Sequence, residues 1–493
     1  MTNTKVTINR LQTGVPGLDH ILGGGVPEFS FSLILGLPGC GKTTLAHQIM
    51  FALATPQRPA LYLTVLGEPP LKMLRYQQQF AFFRDDAVNS VVRFVNLAEE
   101  TLTGNLDQVL ARIVEEVEET MPALVFIDSF RSMVLSGLPG DNTHNRLQQF
   151  MQQLGMLMTS WQATTFLIGE YPTEADTNPV FTVADGLIGL RQSVQRNSMV
   201  RKIEIMKMRG QAPVPGLHSF RIDETGIEVF APDSPTAAEG ARAGMKNAPR
   251  VTMGVPQLDE MLGGGLPRGY SLLIAGPSGS GKSILSAAFL AEGARLGEHG
   301  VIAAFESHPN GVRKSRAARL VEQGMVSVIG NSSPDVSIDE LLVRLMREVR
   351  RTNAARVVID SLSGLELSLA PTFREDFRES LLRLVTTMAG MGVTMVMTSE
   401  LEDRYIDLRF SPYGTAFLTD AIIVQRYIEV DSCLRRMMAV VKVRGSAHSN
   451  QLREYVIDAA GIQIGDMLTD REGLLGGRPT RKIARDACAP VAV

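Results

Sequence analysis

The chain has 493 residues, 44 % of them hydrophobic and 20 % charged, with a formal net charge of −3. That length holds two or three domains, and the near-neutral, ordinary composition gives no electrostatic reason to expect nucleic acid as a partner. Three scattered cysteines (Cys40, Cys433, Cys488) exclude a disulfide framework or a Cys-rich zinc site, and the lack of a secretory leader or long apolar run reads as a cytoplasmic chain with no membrane partner.

A polar lead runs into the Gly-rich GVPGLDHILGGGVP at 14–27. An apolar run at 31–35 is predicted as a strand, followed by G-L-P-G-C-G-K-T at 36–43 and a helix at 44–54. The eight residues fit G-x-x-x-x-G-K-[ST]. In such a loop the backbone N–H groups, the lysine and the helix N-terminus converge on phosphate, and the last hydroxyl holds Mg²⁺. Gly36, Gly39, Cys40, Gly41, Lys42, Thr43 and Thr44 are therefore candidate nucleotide contacts, with Thr43 also on the metal. A thiol near a helix start can have a lowered pKa, but a small filler is the simpler reading of Cys40.

Beyond the loop, strands at 60–65, 123–128 and 164–169 alternate with helices at 106–120 and 146–162. Alternation of this length predicts a parallel sheet covered by helices on both faces. Asp128 ends the run ALVFIDS, where a carboxylate orients Mg²⁺ through water; a strand-end turn residue is the alternative. After residue 183 the pattern changes to strand-like runs at 186–192, 200–208 and 219–230, read as antiparallel strands at one sheet edge. K-M-R-G at 207–210 puts Lys207 and Arg209 on one side of a strand. Two such cations suit a phosphate, including one on a neighbouring subunit; a solvated face is the alternative.

Residues 233–249, rich in Ala, Pro and Gly, read as a linker between a first domain at 1–232 and a second at 250–467. The second domain repeats the first. GVPQLDEMLGGGLP occupies 254–267, a strand is predicted at 270–275, and G-P-S-G-S-G-K-S at 276–283 lies 240 residues after its counterpart, with a helix at 284–296. Its candidate contacts are Gly276, Ser278, Gly279, Ser280, Gly281, Lys282, Ser283 and Ile284, with Ser283 on the metal. Strands at 301–305, 356–360 and 393–398 and helices at 338–351 and 377–391 follow, and Asp360 ends ARVVIDS. Late strands are expected at 421–429, 437–443 and 453–457. K-V-R-G at 442–445 supplies Lys442 and Arg444, and His448 is a further candidate nucleotide contact. Landmarks repeated in one order mean a duplicated domain. The end, 468–493, carries Arg478, Arg481, Lys482 and Arg485 without periodicity and reads as a flexible, solvated tail.

Hydrolysis also needs a carboxylate that orients and deprotonates water, and the end of the second strand opens beside the γ-phosphate. The run AAFES puts Glu306 there, as general base and candidate metal ligand, a surface strand-end acid being the alternative; the first half's LTVLGE puts Leu66 there, with Glu68 two residues on. A leucine cannot activate water. The second domain is therefore expected to hydrolyse ATP and the first to hold it.

Taken together, the paired Gly-rich motifs, the two phosphate loops, the V-x-I-D-S strand and the K-x-R-G pairs resemble the KaiC family of circadian-clock ATPases and its non-clock relatives. The resemblance spans about residues 14–464. It implies an α/β fold of two tandem RecA-like P-loop domains, each a mainly parallel sheet with antiparallel strands at one edge. It implies ATP and Mg²⁺ as cofactors and a homohexameric double ring. In that ring Lys442 and Arg444, like Lys207 and Arg209, reach the γ-phosphate of the adjoining subunit, and Lys282 and Glu306 complete the catalytic set. There are departures. The family's two adjacent glutamates after the second strand become Glu306-Ser307 and Leu66-Gly67, and the phosphorylated Ser-Thr pair before the T-D-x-I-I strand (419–423) becomes Ala416-Phe417. The tail does not resemble the clock members' partner-binding tail. The expectation is a signalling ATPase outside an oscillator, with an unidentified protein partner. A RecA-type DNA motor, whose thin basic candidate is 374–378, and a non-catalytic ATP-bound scaffold are the alternatives.

Overall fold

The computed structural model describes residues 8–64, 70–102, 106–129, 143–170, 180–195, 198–231, 249–305, 317–330, 336–369, 377–401, 418–467, 471–472 and 480–481. Its contacts divide into two units, Met1–Ala231 and Pro232–Val493.

In the first unit nine strands form one sheet: β1 (Phe31–Gly36), β2 (Ala60–Thr64), β3 (Val92–Asn96), β4 (Leu124–Asp128), β5 (Thr164–Gly169), β6 (Gly186–Gln195), β7 (Ser198–Met208), β8 (His218–Asp223) and β9 (Gly226–Phe230). The order across it is β9-β8-β7-β6-β1-β5-β4-β2-β3. All pairs from β6 to β3 are parallel and the other three are antiparallel. The inner strands are buried on both faces, as their continuous apolar runs require. Alternate residues serve opposite faces. Leu61, Leu63, Val125 and Ile127 pack under α2 (Leu106–Thr120) and α3 (Thr143–Ser160), while Ala60, Tyr62, Leu124 and Phe126 pack under α1 (Lys42–Leu53).

The second unit has β10 (Ser271–Gly276), β11 (Gly300–Ala304), β12 (Val326–Gly330), β13 (Arg356–Asp360), β14 (Thr394–Glu400), β15 (Ala421–Val430), β16 (Cys433–Val443), β17 (Arg453–Ile457) and β18 (Ile462–Met467). Their order, β12-β11-β13-β14-β10-β15-β16-β17-β18, reproduces the first sheet strand for strand. Helix α4 (Lys282–Arg295) covers one face; α5 (Ile338–Thr352), α6 (Leu362–Ser368) and α7 (Phe377–Gly390) cover the other. Both units are thus mixed, mainly parallel sheets between helices, with the antiparallel strands at one edge.

Several boundaries differ from the sequence reading. The helices after the loops begin at Lys42 and Lys282 themselves. The run at 219–230 is a hairpin, β8–β9, that turns at Gly226 with φ 112°. Within the presumed tail, Arg471–Glu472 pairs antiparallel with Thr480–Arg481. The Gly-rich motifs owe their aspartates to local closure: Asp19 Oδ1 accepts the Thr13 N–H at 2.9 Å, and Asp259 Oδ1 accepts the Met253 N–H at 2.7 Å. Among the described residues no helix is long and apolar enough to cross a membrane.

Candidate functional site

Each phosphate loop leaves the C-terminal end of the central parallel strand, β1 or β10, and enters α1 or α4. Gly41 and Gly281 occupy the helix N-caps with φ of 102° and 98°, and no side chain caps either helix. The positive φ calls for glycine at both positions, and a Cβ there would also push on the Ile222 and Ile457 methyls, 2.7 and 2.8 Å away. The result is an uncapped row of N–H groups at a positive helix end, the form that binds anions. Lys42 Nζ donates to Leu37 O at 2.9 Å; Lys282 Nζ donates to Gly276 O and Pro277 O, both at 2.8 Å. Each lysine therefore lies along its own loop.

The strand-end carboxylates sit beside these loops. In the first unit the Thr43 and Tyr62 hydroxyls both donate to Asp128 Oδ2 at 2.8 Å. Burial pushes the Asp128 carboxyl pKa up, against the two hydroxyl hydrogen bonds and Lys42, which pull it down. Burial and the neighbouring Asp128 push the Tyr62 phenol well above its ordinary range, so it stays a donor. In the second unit Asp360 is half-buried, and the Thr398 hydroxyl donates to its Oδ1 at 2.6 Å. Cys40 is fully buried, and desolvation raises its thiol pKa despite nearby Lys42. It is a packing residue, not a thiolate.

The K-x-R-G cations lie elsewhere. In both units a one-residue bulge skips Met206 or Val441, so that Lys207 faces Leu187 and Lys442 faces Ile422. Lys207 Nζ donates to Ala184 O at 2.6 Å and Lys442 Nζ to Thr419 O at 2.7 Å. Arg209 pairs with Asp185 at 3.0 Å and Arg444 with Asp420 at 3.3 Å. Those aspartates also accept the Phe31 and Ser271 N–H groups, at the start of β1 and β10. The cations therefore sit at the N-terminal end of the central strand and the phosphate loop at its C-terminal end. The strand rise puts about 16 Å between them. His448 lies in the following turn, its Nδ1 3.5 Å from Ser446 O. Glu306, Leu66, Glu68, Ala416 and Phe417 lie outside the described residues.

A model of the family described as "ATPase: KaiC" matches residues 11–234 and again 251–469. The chain belongs to the KaiC ATPase family. It is 27 % identical over 488 residues to the circadian clock oscillator protein KaiC of Parathermosynechococcus lividus, covering 96 % of this chain and 88 % of the relative. To the protein of the same name from Picosynechococcus sp. it is 26 % identical over 488 residues, covering 96 % and 93 %. To that of Prochlorococcus marinus it is 25 % identical over 493 residues, covering 97 % of each chain.

A KaiC-type ATPase uses nucleotide and Mg²⁺, and the residues present fit both. The uncapped helix starts suit phosphate, and the hydroxyl–carboxylate pair Thr43–Asp128 suits a hydrated cation. Among the described residues no cluster of three His, Cys, Asp or Glu side chains forms a metal cage. The sequence reading missed Tyr62, Thr398, Asp185 and Asp420. Only Asp420 carried a signal, as the second residue of the T-D-x-I-I strand.

Proposed function

We propose that this KaiC-family chain is an ATP-hydrolysing signalling protein that assembles into nucleotide-dependent homohexameric rings. Hydrolysis falls mainly to the second domain at 250–467, the first at 1–232 retains ATP, and 233–249 and 468–493 serve as linker and tail. The observation that carries this reading is the position of the K-x-R-G cations, about 16 Å along the central strand from their own loop. Lys207, Arg209, Lys442 and Arg444 are out of reach of the phosphates in their own unit, so a site that uses them takes them from a neighbouring subunit. Gly276–Gly281 and Lys282 would hold the phosphates, Ser283 and Asp360 the cation, and His448 the nucleotide's outer part; Thr43 and Asp128 serve the first site likewise. Mg²⁺, when bound, neutralises charge on the β- and γ-phosphoryl oxygens.

The difference between the domains rests on Glu306, the water-activating carboxylate that Leu66 replaces in the first. Glu306→Gln should lower steady-state ATP turnover by at least ~100-fold, the lower end for losing a general base. Turnover at the parental rate would place the hydrolytic base elsewhere.

A further inference from the structure

The two units support the same carboxylate from opposite sides. Asp128 on β4 lies between β2 and β5; Asp360 on β13 lies between β11 and β14. In the first unit the supporting hydroxyl comes from β2, as Tyr62, and the β5 residue level with Asp128 is Ile168. In the second unit it comes from β14, as Thr398, while the β11 residue in Tyr62's register is Ile302, which pairs with Val358 as Tyr62 pairs with Phe126. A polar residue and an isoleucine have changed places across the strand. Tyr62 is also held rigidly. It is fully buried, with ring centroids of His47, Phe94 and Phe126 at 4.6, 5.4 and 6.1 Å. A phenol so packed cannot swing away, and its hydroxyl meets Thr43's on the same carboxylate oxygen.

We infer that Tyr62 is a positioning residue of the first nucleotide site, fixing Asp128 against Thr43 and thereby setting how tightly that site holds Mg²⁺ with its nucleotide, as Thr398 does from the other side in the second. The inference rests on the reading that the first site retains Mg-ATP. The Thr43 hydroxyl is held facing Asp128, and a buried carboxylate with one hydroxyl donor fewer is less well ordered to hold it there.

The test uses the full chain with Lys282→Ala, which silences the second loop, and follows retention of a fluorescent ATP analogue across a Mg²⁺ series. Tyr62→Phe, which removes only the hydroxyl, should raise the Mg²⁺ needed for half-maximal retention by about tenfold, the scale of one hydrogen bond to a charged group. Adding Ile168→Thr copies the second unit's solution and should bring the requirement back to within about threefold of the parent. An unchanged Mg²⁺ requirement in Tyr62→Phe overturns the inference. So does a raised requirement that Ile168→Thr leaves unrepaired, because packing would then explain the loss. If the Lys282→Ala parent itself retains no nucleotide in a Mg²⁺-dependent way, the reading of the first site as an ATP-holding site fails, and the inference fails with it.

Discussion

At the fifth position of each phosphate loop the side chain turns inward, and its surroundings differ between the units. Ser280 donates to Gln425 Oε1 at 2.9 Å, and the Tyr455 hydroxyl donates to Ser280 O at 2.6 Å. Cys40, Leu190 and Phe220 occupy the matching places as an apolar cluster. The second unit pairs Ser280 with the Gln425 side-chain carbonyl, although Gln425 Nε2 stays buried without a hydrogen bond among the described residues, whereas the first unit fills the same places with apolar side chains. Toward the other edge of the same sheet His47 is fully buried against Tyr62 and Phe94, and burial lowers its pKa to about 4. The native state therefore binds fewer protons there than the unfolded chain, whose histidine titrates near ~6.5. Stability that is complete above that pH is lost as the pH falls toward 4, by at most about 3 kcal/mol. His47→Phe keeps a ring against Tyr62 and removes the titration. Between pH 7.5 and 5 the parent should lose about 2 kcal/mol more than the variant. The single tryptophan, Trp161, lies in the first unit and reports its unfolding by fluorescence. Equal losses in urea melts of both proteins would show that the imidazole is not the titrating group.

Strands that end in a motif were legible in the sequence, because glycine, lysine and aspartate punctuate the apolar runs. Strands β3 and β12 were not: VRFVN and VSVIG are short, half-buried edge strands with no closing signal. Tyr62 and Thr398 escaped for another reason, since their meaning depends on register across the sheet and not on spacing along the chain. One difference between the units is larger than a side chain. In the first, Phe82 lies against Gly226 and Gln48, so close that a Cβ at Gly226 would be 2.8 Å from the ring, and Gln48 bonds both backbone groups of Ile227. In the second, Ala288 stands in the place of Gln48, and a cavity of about 340 Å³ opens between Ala287, Ala288, Ala291 and Gly461. The segment before β15 bears on a third property. A phosphoacceptor needs a hydroxyl in line with a γ-phosphate, and Ala416-Phe417 provides none. Prolonged incubation with Mg-ATP should leave residues 409–419 unphosphorylated by mass spectrometry while ATP is consumed. Substantial phosphate on Ser411, Thr415 or Thr419 would return the chain to the autokinases.

For the whole molecule the decisive question is whether Arg444 serves its own loop or a neighbour's. Lys282→Ala removes one half of a shared site and Arg444→Ala the other, so each protein alone should be inactive. Mixed and reassembled with ATP, they should regain part of the parental turnover at interfaces that pair an intact loop with an intact arginine. No recovery in well-mixed assemblies would mean that the arginine acts within its own chain. The separation of cation and loop to opposite ends of one strand has a further consequence. A subunit that gives at one end and receives at the other has a direction, and a line of such subunits has no natural stopping point. It must either meet its own beginning or go on growing, and on the proposed arrangement a member that has lost its nucleotide would leave one seam unclosed. In the proposed ring the nucleotide would then be the clasp of a one-way circle, and the number of sites filled would decide whether the circle stays shut.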